Sequence, residues 1–327
     1  MTPIDRRRLI ALGATAVGGA VFGCASDDES LGGSAGTGGG NTATSGSAGL
    51  AASGAGGTSS AGTGANAATG GAAGAGDDVP WATGGTASMT DQASYPNPFS
   101  ALPDACSVTC ELTEGPCYSA DSTEIQDISY GRPGLPLRLY LRILDDTCTP
   151  VPGATVDLWH CGPEGIYSGN DAAHEDVAFC TGNDEDFESH LYFRGKQTTG
   201  DDGVVYFDTC FPGWYASRTI HIHMTISLGE TAYVTTQFGF DDTLDDDIVA
   251  TQPIYSDRGS RDTTNTTDTV LPADDVADYV FDAEKMTDGA MLAWKTLILR
   301  SSVDDAICSP SGAATPPGAP PSGSAAP

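Results

Sequence analysis

Basic side chains are scarce in this sequence. Its 327 residues include 14 Lys and Arg against 44 Asp and Glu, so the formal net charge is −30. Proteins that bind nucleic acid need Lys and Arg to neutralise phosphates, usually clustered in a patch or stripe, and no such stripe is present. The composition therefore excludes nucleic acid as a partner and indicates a well-hydrated acidic surface.

Large apolar side chains are nearly absent from residues 24–97, where Gly, Ala, Ser and Thr dominate. Such a segment cannot bury enough apolar surface to offset the entropy lost on ordering, so we expect a disordered tether. The Pro-, Ala- and Ser-rich residues 309–327 are expected to form a disordered tail for the same reason. Residues 98–308 remain as the part able to bury a core, and their length suits one β-rich domain.

An apolar run long enough to span a bilayer is lacking at the N terminus, where Leu9–Phe22 follows Arg6–Arg8. The basic start, the apolar run and the small residues before Cys24 are typical of an export signal over residues 1–23. The arginines resemble a twin-arginine signal and "VFGC" resembles a bacterial lipobox. We therefore expect an exported lipoprotein, anchored to the membrane through Cys24 at the periplasmic or outer cell surface; an ordinary signal peptide with an incidental Cys is the alternative.

The spacing C-x-x-C is also absent, which disfavours a zinc ribbon. Eight cysteines remain when Cys24 is set aside, and an even number in an exported chain suggests disulfides. Cys148 and Cys161 bracket one strand and turn, so they are one candidate pair. The sequence does not decide among the other pairings.

Alternation of apolar and polar residues is the recurring pattern in residues 98–308. The alternating segments are rich in β-branched and aromatic residues and are separated by turn signals such as "VPGA" and "GDDG". This pattern predicts an all-β fold, an antiparallel β-sandwich or barrel. The predicted strands are 137–144, 154–159, 203–208, 219–227, 232–238 and 292–299. Residues 273–286 are a weak helix candidate.

The segment "RTIHIHM" (218–224) combines an apolar strand pattern with two histidines. Ile220 and Ile222 point to one face of the predicted strand, while His221 and His223 point to the other. Imidazoles at positions i and i+2 of a strand have Cα atoms about 6.5–7 Å apart, so both rings can turn toward one metal ion. Two solvent-facing histidines are the alternative.

Tyrosines flank this pair along the chain, Tyr215 in "PGWYASRTIHIH" and Tyr167 in "LWHCGPEGIYSG". The constellation resembles the intradiol ring-cleavage dioxygenases, the catechol and protocatechuate enzymes that hold non-haem ferric iron with two tyrosines and two histidines. The resemblance extends over roughly Leu112 to Arg300. Its further matching segments include "ELTEGPCY" (111–118), "DISYGRPGLPLRLYLRILD" (127–145), "FRGKQTTGDDG" (193–203) and "TTQFGF" (235–240).

The resemblance implies a site and a fold. Carried over position by position, the iron ligands are Tyr167, Tyr215, His221 and His223. Arg218 corresponds to the arginine that steadies negative charge on the substrate, Gln237 to a pocket glutamine behind the iron, and Tyr215 also acts as the base. The implied fold is an antiparallel β-sandwich of the intradiol dioxygenase type, with long loops and little helix.

The donor types support this ligand set on chemical grounds. A free Tyr has a pKa of about 10, so ionising each phenol near pH 7 costs about 4 kcal/mol, which an adjacent metal charge can supply. Zinc more usually selects Cys and His, and open Fe(II) sites usually show two His and a carboxylate. Two phenolates and two neutral imidazoles therefore indicate Fe(III).

The implied function is cleavage of a catechol by O₂ between its two hydroxyl groups, giving a cis,cis-muconate-type product. One alternative is a non-catalytic β-sandwich module at the cell surface that binds a ligand and keeps the Tyr/His cluster. Another is a copper or zinc protein that uses the two histidines, which leaves both tyrosines and Arg218 unexplained. We interpret His160 as structural and His174 and His190 as solvated. Tyr118 either approaches the pocket, since "TEGPCY" resembles a family segment, or has a packing role.

Two departures from the family limit what can be carried over. Catechol-type members have a helical dimerisation segment ahead of the sandwich, where this chain has the predicted tether, so the oligomeric state is left open. Only Ala216 and Ser217 separate Tyr215 from Arg218, whereas protocatechuate enzymes have a longer loop there. Their preference for a substrate carboxylate is therefore not transferred.

Overall fold

Apolar residues that alternate along the strands place two β-sheets around one core. The computed structural model describes residues 79–169 and 177–310. The strands are β1 (Pro136–Asp145), β2 (Ala154–Trp159), β3 (Arg194–Thr198), β4 (Val204–Cys210), β5 (His221–Leu228), β6 (Thr231–Gly239), β7 (Asp282–Lys285) and β8 (Met291–Leu299). The helices are α1 (Val177–Thr181), α2 (Glu185–Glu188), α3 (Asp242–Thr251) and α4 (Pro253–Ser256), with 3₁₀ turns at Thr86–Ser88, Gln92–Ser94 and Val276–Tyr279.

The predicted export signal, the lipid-modified Cys24 and most of the tether and tail lie outside the described residues. Within the two described ranges, no helix is long and apolar enough to cross a membrane.

The two sheets each contain four strands, in the orders β4-β1-β8-β7 and β3-β2-β5-β6. Neighbouring strands are antiparallel except β1 and β8, which run parallel. The predicted all-β sandwich is confirmed, and each of the six predicted strands is present. The sequence missed β3 and β7, two edge strands whose polar residues carry no clear alternation, as is common where an edge must avoid pairing with another chain.

The core lies between the sheets and is built from one face of each strand. On β1 the inward residues are Leu137, Leu139, Leu141 and Ile143, and on β5 they are Ile222, Met224 and Ile226, all fully buried. Because side chains alternate along a strand, this packing directs His221 and His223 to the opposite face of β5.

The helix predicted over residues 273–286 is wrong. Only Val276–Tyr279 forms a 3₁₀ turn, and the chain then extends into β7. Phe281 is buried in the core beside Phe238 and Phe240, and its backbone N–H donates to the Gly239 carbonyl at 2.9 Å. Packing of this aromatic side chain overrides the weak helix propensity of the segment.

The composition assigned residues 79–97 to the disordered tether, but in the structure these residues pack on the domain. Met89 and Tyr95 are buried against Leu292 and its neighbours in a second apolar cluster, and Tyr95 Oη donates to the Asp288 carboxylate at 2.7 Å. The average composition of residues 24–97 hides these few large side chains near its end. The folded domain therefore includes residues ahead of 98.

Disulfides are present, but the candidate pair Cys148–Cys161 is wrong. The disulfides are Cys106–Cys148, Cys110–Cys308 and Cys117–Cys180. Cys161 is a free thiol, as is Cys210. Cys161 follows β2 into the interior, where its Sγ donates to the Gly213 carbonyl at 3.1 Å, so nearness in sequence to Cys148 does not bring the two sulfurs together.

Packing of residues 79–97 can be tested with the double variant Met89→Ala/Tyr95→Ala. Loss of two buried side chains should lower the free energy of unfolding by about 3–6 kcal/mol, measured by urea denaturation. Leu102→Ala is the control, because Leu102 is 53% exposed and its loss should change stability by less than about 0.5 kcal/mol. Equal urea midpoints for the double variant and the unaltered protein would contradict the packing.

Candidate metal centre

Four donor atoms from one strand, β5, and two turn segments converge on one point. His221 Nε2 lies 3.0 Å from His223 Nε2 and 3.1 Å from Tyr215 Oη. Tyr167 Oη lies 3.3 Å from Tyr215 Oη and 3.5 Å from His221 Nε2. Donors that bind one metal ion at about 2.0–2.2 Å lie roughly 3 Å from each other. The structure thus brings together all four residues that the sequence predicted as ligands.

The two histidines are buried rather than solvent-facing, so that alternative is wrong. His221 Nδ1–H donates to the Thr219 carbonyl at 2.6 Å, which leaves its Nε2 as a lone pair directed at the cluster. The His223 ring stacks on Trp159 of β2, with centroids 5.1 Å apart. His223 Nδ1 has no hydrogen-bond partner among the described residues. The Thr219 carbonyl therefore fixes the His221 ring, and β2 fixes the His223 ring through Trp159.

Tight turns place the two tyrosines in the donor cluster. Tyr167 follows a turn after β2, and its backbone N–H donates to the Cys180 carbonyl at 2.7 Å. Tyr215 begins a turn in which Ser217 has a φ of 69° and the Arg218 N–H donates to the Tyr215 carbonyl at 3.3 Å. This turn places Tyr215 and Arg218 side by side, directly before the strand that carries the histidines.

Burial keeps all four donors neutral in the protein alone. It raises the pKa of Tyr167 well above 10 and raises the pKa of Tyr215 to about 12, with the Arg218 charge opposing the second shift. Burial, helped by Arg218, lowers the pKa values of His221 and His223 well below 6.5. The imidazoles are therefore free to bind a metal at neutral pH, whereas the phenols need a nearby cation in order to ionise.

The two phenols are essential to any metal site here. In the described part of the chain, no group of three or more His, Cys, Asp and Glu side chains is placed to hold a metal ion. A copper or zinc site made of His221 and His223 alone would leave two tyrosine oxygens within 3.5 Å of the same nitrogen without a role. The cluster can hold one ion through two oxygens and two nitrogens.

Arg218 and Gln237 lie side by side next to the cluster, and Asp268, which the sequence did not single out, holds Arg218. Arg218 donates from Nη2 to Gln237 Oε1 and from Nε to Asp268 Oδ2, the latter at 2.9 Å. Gln237 Nε2 donates to the Thr113 carbonyl at 2.7 Å. Among the described residues, Arg218 Nη1 has no hydrogen-bond partner, so its N–H groups can serve a ligand.

Asp268 is an anchor with its side chain fully buried. Its Oδ2 also accepts from the Thr219 N–H at 2.8 Å, and its Oδ1 accepts from the Val270 and Leu271 N–H groups at 2.7 and 2.9 Å. Nothing in "NTTDTV" (265–270) distinguishes this aspartate from the many others in an acidic chain. Only its contacts identify it.

The loop of residues 113–118 crosses the His223 ring. Gly115 has a φ of 80°, and a Cβ at this position would stand 3.3 Å from His223 Cε1. The next aromatic residue, Tyr118, donates to Asp157 Oδ2 at 3.1 Å and packs edge-on against Trp159. Of the two readings of Tyr118, the packing role agrees with these contacts, because its hydroxyl is bonded to Asp157 and its ring packs on Trp159.

The remaining histidines behave as interpreted where the structure describes them. His160 is fully buried, donates from Nδ1 to the Cys161 carbonyl and accepts at Nε2 from the Thr209 hydroxyl, both at 2.8 Å, so its role is structural. His190 is half exposed. His174 lies outside the described residues.

Comparison with known proteins finds dioxygenases among the relatives of this chain. A family model described as "Dioxygenase" (Dioxygenase_C) matches residues 113–284. Catechol 1,2-dioxygenase 1 of Acinetobacter lwoffii is 29% identical over 156 residues, 41% of this chain and 46% of that protein. Catechol 1,2-dioxygenase of a Pseudomonas species is 28% identical over 165 residues, 47% of this chain and 55% of that protein. The chain thus spans about half the length of these curated relatives.

A solved structure, an intradiol ring-cleavage dioxygenase from Tetranychus urticae, is 28% identical and has a TM-score of 0.52. The match covers 60% of this chain and 95% of that one. The described domain therefore corresponds to nearly the whole of that protein.

Gly115→Ala tests the contact between the loop and His223. The added methyl should push the loop or the ring away and weaken binding of Fe(III), used as the probe ion, by about tenfold or more. Gly131→Ala is the matched control, because Gly131 has a φ of 77° but nothing within 4 Å of the added Cβ. Both variants carry the same backbone strain, so equal Fe(III) affinities in equilibrium dialysis would argue against the contact.

Proposed function

This chain belongs to the intradiol dioxygenase family, and on that premise we propose that it is an Fe(III)-dependent enzyme that cleaves a catechol with O₂ between the two hydroxyl groups. The convergence of donor atoms from Tyr167, Tyr215 and His223 within 3.5 Å of His221 Nε2 carries the proposal. Both atoms of O₂ enter the cis,cis-muconate-type product, so the electrons balance without an external reductant.

Fe(III) suits this donor set. Phenolate oxygens are hard anionic donors that a trivalent cation favours, and neutral imidazoles complete the set. Tyr167, Tyr215, His221 and His223 would hold the ion. When bound, it supplies the positive charge that ionises the two phenols and a Lewis acid that polarises the substrate oxygens.

Tyr215 is the tyrosine suited to accept a substrate proton. Tyr167 is only 3% exposed, whereas Tyr215 is partly exposed and stands next to Arg218 in the same turn. A catechol that enters from the open side meets Tyr215 first, and Tyr215 Oη takes up one hydroxyl proton as a general base. Tyr167 remains a buried ligand throughout.

Arg218 acts as a fixed positive charge beside the substrate. Asp268 and Gln237 hold its Nε and Nη2, so the guanidinium is fixed beside the cluster with no need to reorganise. A preorganised donor of this kind stabilises the negative charge that develops on the substrate oxygens as protons leave. Asp268 is thus a positioning residue that acts through Arg218.

Neutral catechols are the substrate class that the surroundings favour. Glu114 lies exposed on the 113–118 loop, the loop that crosses the His223 ring. The chain as a whole carries a net charge of −30. A carboxylated catechol would meet this negative potential on approach, whereas an uncharged one becomes anionic only after proton transfer inside the site.

Iron-loaded protein should show a visible tyrosinate-to-iron absorption band and consume O₂ with catechol, pyrogallol or hydroxyquinol. Tyr215→Phe should remove most of the band and lower kcat by about 100-fold or more, while Tyr118→Phe, a neighbouring phenol outside the cluster, should stay within about threefold. Product analysis should show cleavage between the hydroxyls. A metal-replete protein that consumes no O₂ with any of the three would favour the non-catalytic binding module.

Asp268→Asn tests the positioning of Arg218. The amide removes the charge partner of the guanidinium, and because a hydrogen bond to a charged group contributes about 1.5–3 kcal/mol, kcat/KM should fall by about tenfold or more. The resting absorption band should not change, since Asp268 touches no metal donor. Asp262→Asn is the control: among the residues that the structure describes, its carboxylate accepts from the Ser217 N–H at 3.2 Å and from its neighbour Thr263. Equal kcat/KM for the two variants would refute the role.

A further inference from the structure

One disulfide joins two segments that each touch a different residue of the donor cluster. Cys117, bonded to Cys180, lies two residues after Gly115, the residue that faces the His223 ring. Cys180 is the residue whose carbonyl accepts the Tyr167 N–H at 2.7 Å. A covalent bond therefore connects the backbone beside one imidazole ligand to the backbone beside one phenol ligand.

The surroundings of this disulfide are part of the same buried cluster. Cys117 and Cys180 pack with Trp159, Cys161 and Tyr167, and Tyr215 packs against them. Arg194 adds a second link between the same segments, because its Nη2 donates to the Cys117 carbonyl at 2.6 Å and to the Ser168 carbonyl at 2.7 Å. The loop over His223 and the segment that carries Tyr167 are thus held together twice.

Cys180 is buried in this cluster, and the disulfide is its covalent link to the loop over His223. Cys180 belongs to α1, a helix of five residues, and so short a helix has no stability of its own. A donor cluster tolerates displacements of only about 0.5 Å. The position of the Tyr167 ring therefore depends on what anchors the Cys180 carbonyl, and the disulfide is the strongest bond that does so.

We infer that the Cys117–Cys180 disulfide is a positioning element of the metal centre, and that metal affinity falls when it is opened. The inference rests on the proposed function in one respect, namely that the cluster binds Fe(III). The other two disulfides lack this role. Cys106–Cys148 ties the segment ahead of residue 113 to the turn after β1, and Cys110–Cys308 ties the same segment to the residues after β8.

The test compares the double variants Cys117→Ser/Cys180→Ser and Cys106→Ser/Cys148→Ser with the unaltered oxidised protein. The disulfides close loops of 63 and 42 residues, and loop-closure entropy varies only weakly with length, so both variants should lose similar global stability. Fe(III) affinity is measured by competition with a chelator, and folding by circular dichroism. The first variant should bind Fe(III) about 10- to 100-fold more weakly, as when a residue supporting a ligand is lost, and the second within about threefold.

Equal Fe(III) affinities in the two double variants would overturn the inference while leaving the proposed function intact. Absence of Fe(III) binding by the unaltered oxidised protein would overturn both. If Cys117→Ser/Cys180→Ser fails to fold, unaltered protein loaded with redox-inert Ga(III) is reduced in steps, and the opening of each disulfide is followed by mass spectrometry. Loss of the ultraviolet tyrosinate absorbance should accompany opening of Cys117–Cys180; loss that follows another disulfide would refute the role.

Discussion

The donor cluster is defined by the close approach of two imidazole nitrogens, His221 Nε2 and His223 Nε2, which lie 3.0 Å apart in a buried site. His221 cannot place a proton between them, because its one N–H is committed to the Thr219 carbonyl. Two phenol oxygens lie against the same nitrogen. Such a concentration of lone pairs is stable only if protons or a cation lie among them. Arg218 is close enough to shift the pKa of all four groups, but its Nε and Nη2 point to Asp268 and Gln237.

The fold meets this requirement by using the two faces of one strand for different purposes. Ile222 and Met224 on β5 are buried in the core between the sheets, so the position of the strand is set by packing that has nothing to do with the site. Because His221 and His223 lie on the other face of the same strand, the core packing also fixes their positions. The tyrosines have no such support, since each lies in a turn, and their positions depend on individual contacts such as the Tyr167 N–H to the Cys180 carbonyl.

This division explains what the sequence could and could not predict. The histidine pair, the sandwich and six strands follow from alternation, and the tyrosines, Arg218 and Gln237 follow from the resemblance to a family. Asp268 and the Cys117–Cys180 link were not predictable, because eight cysteines allow 105 pairings and the aspartate has no local signature. The helix predicted over residues 273–286 failed because burial of Phe281 decides that segment. Export and lipidation at Cys24 stay predictions.

The few basic residues of this chain include several with a structural role. Several of the few arginines are buried cross-links between segments distant in sequence. They are Arg138, which pairs with Asp208 and binds Gln92; Arg194, which binds Cys117 and Ser168; Arg218, which pairs with Asp268; and Arg261, which pairs with Asp242 and Asp246. Breaking a buried pair on one side typically costs about 3–5 kcal/mol, a cost that applies to Arg138–Asp208 and Arg218–Asp268, whose side chains are at most 12% exposed.

The electrostatic potential at the protein surface differs in sign from the contribution of the arginines inside the site. The surface of so acidic a chain is negative, whereas Arg218 and Arg194 bring positive charge to the donor cluster in the interior. An uncharged catechol can cross that surface without repulsion. In the proposed reaction it becomes an anion only on losing its protons beside Arg218, at the point where negative charge is stabilised. The charge distribution therefore favours the substrate before proton transfer and the reacting anion after it.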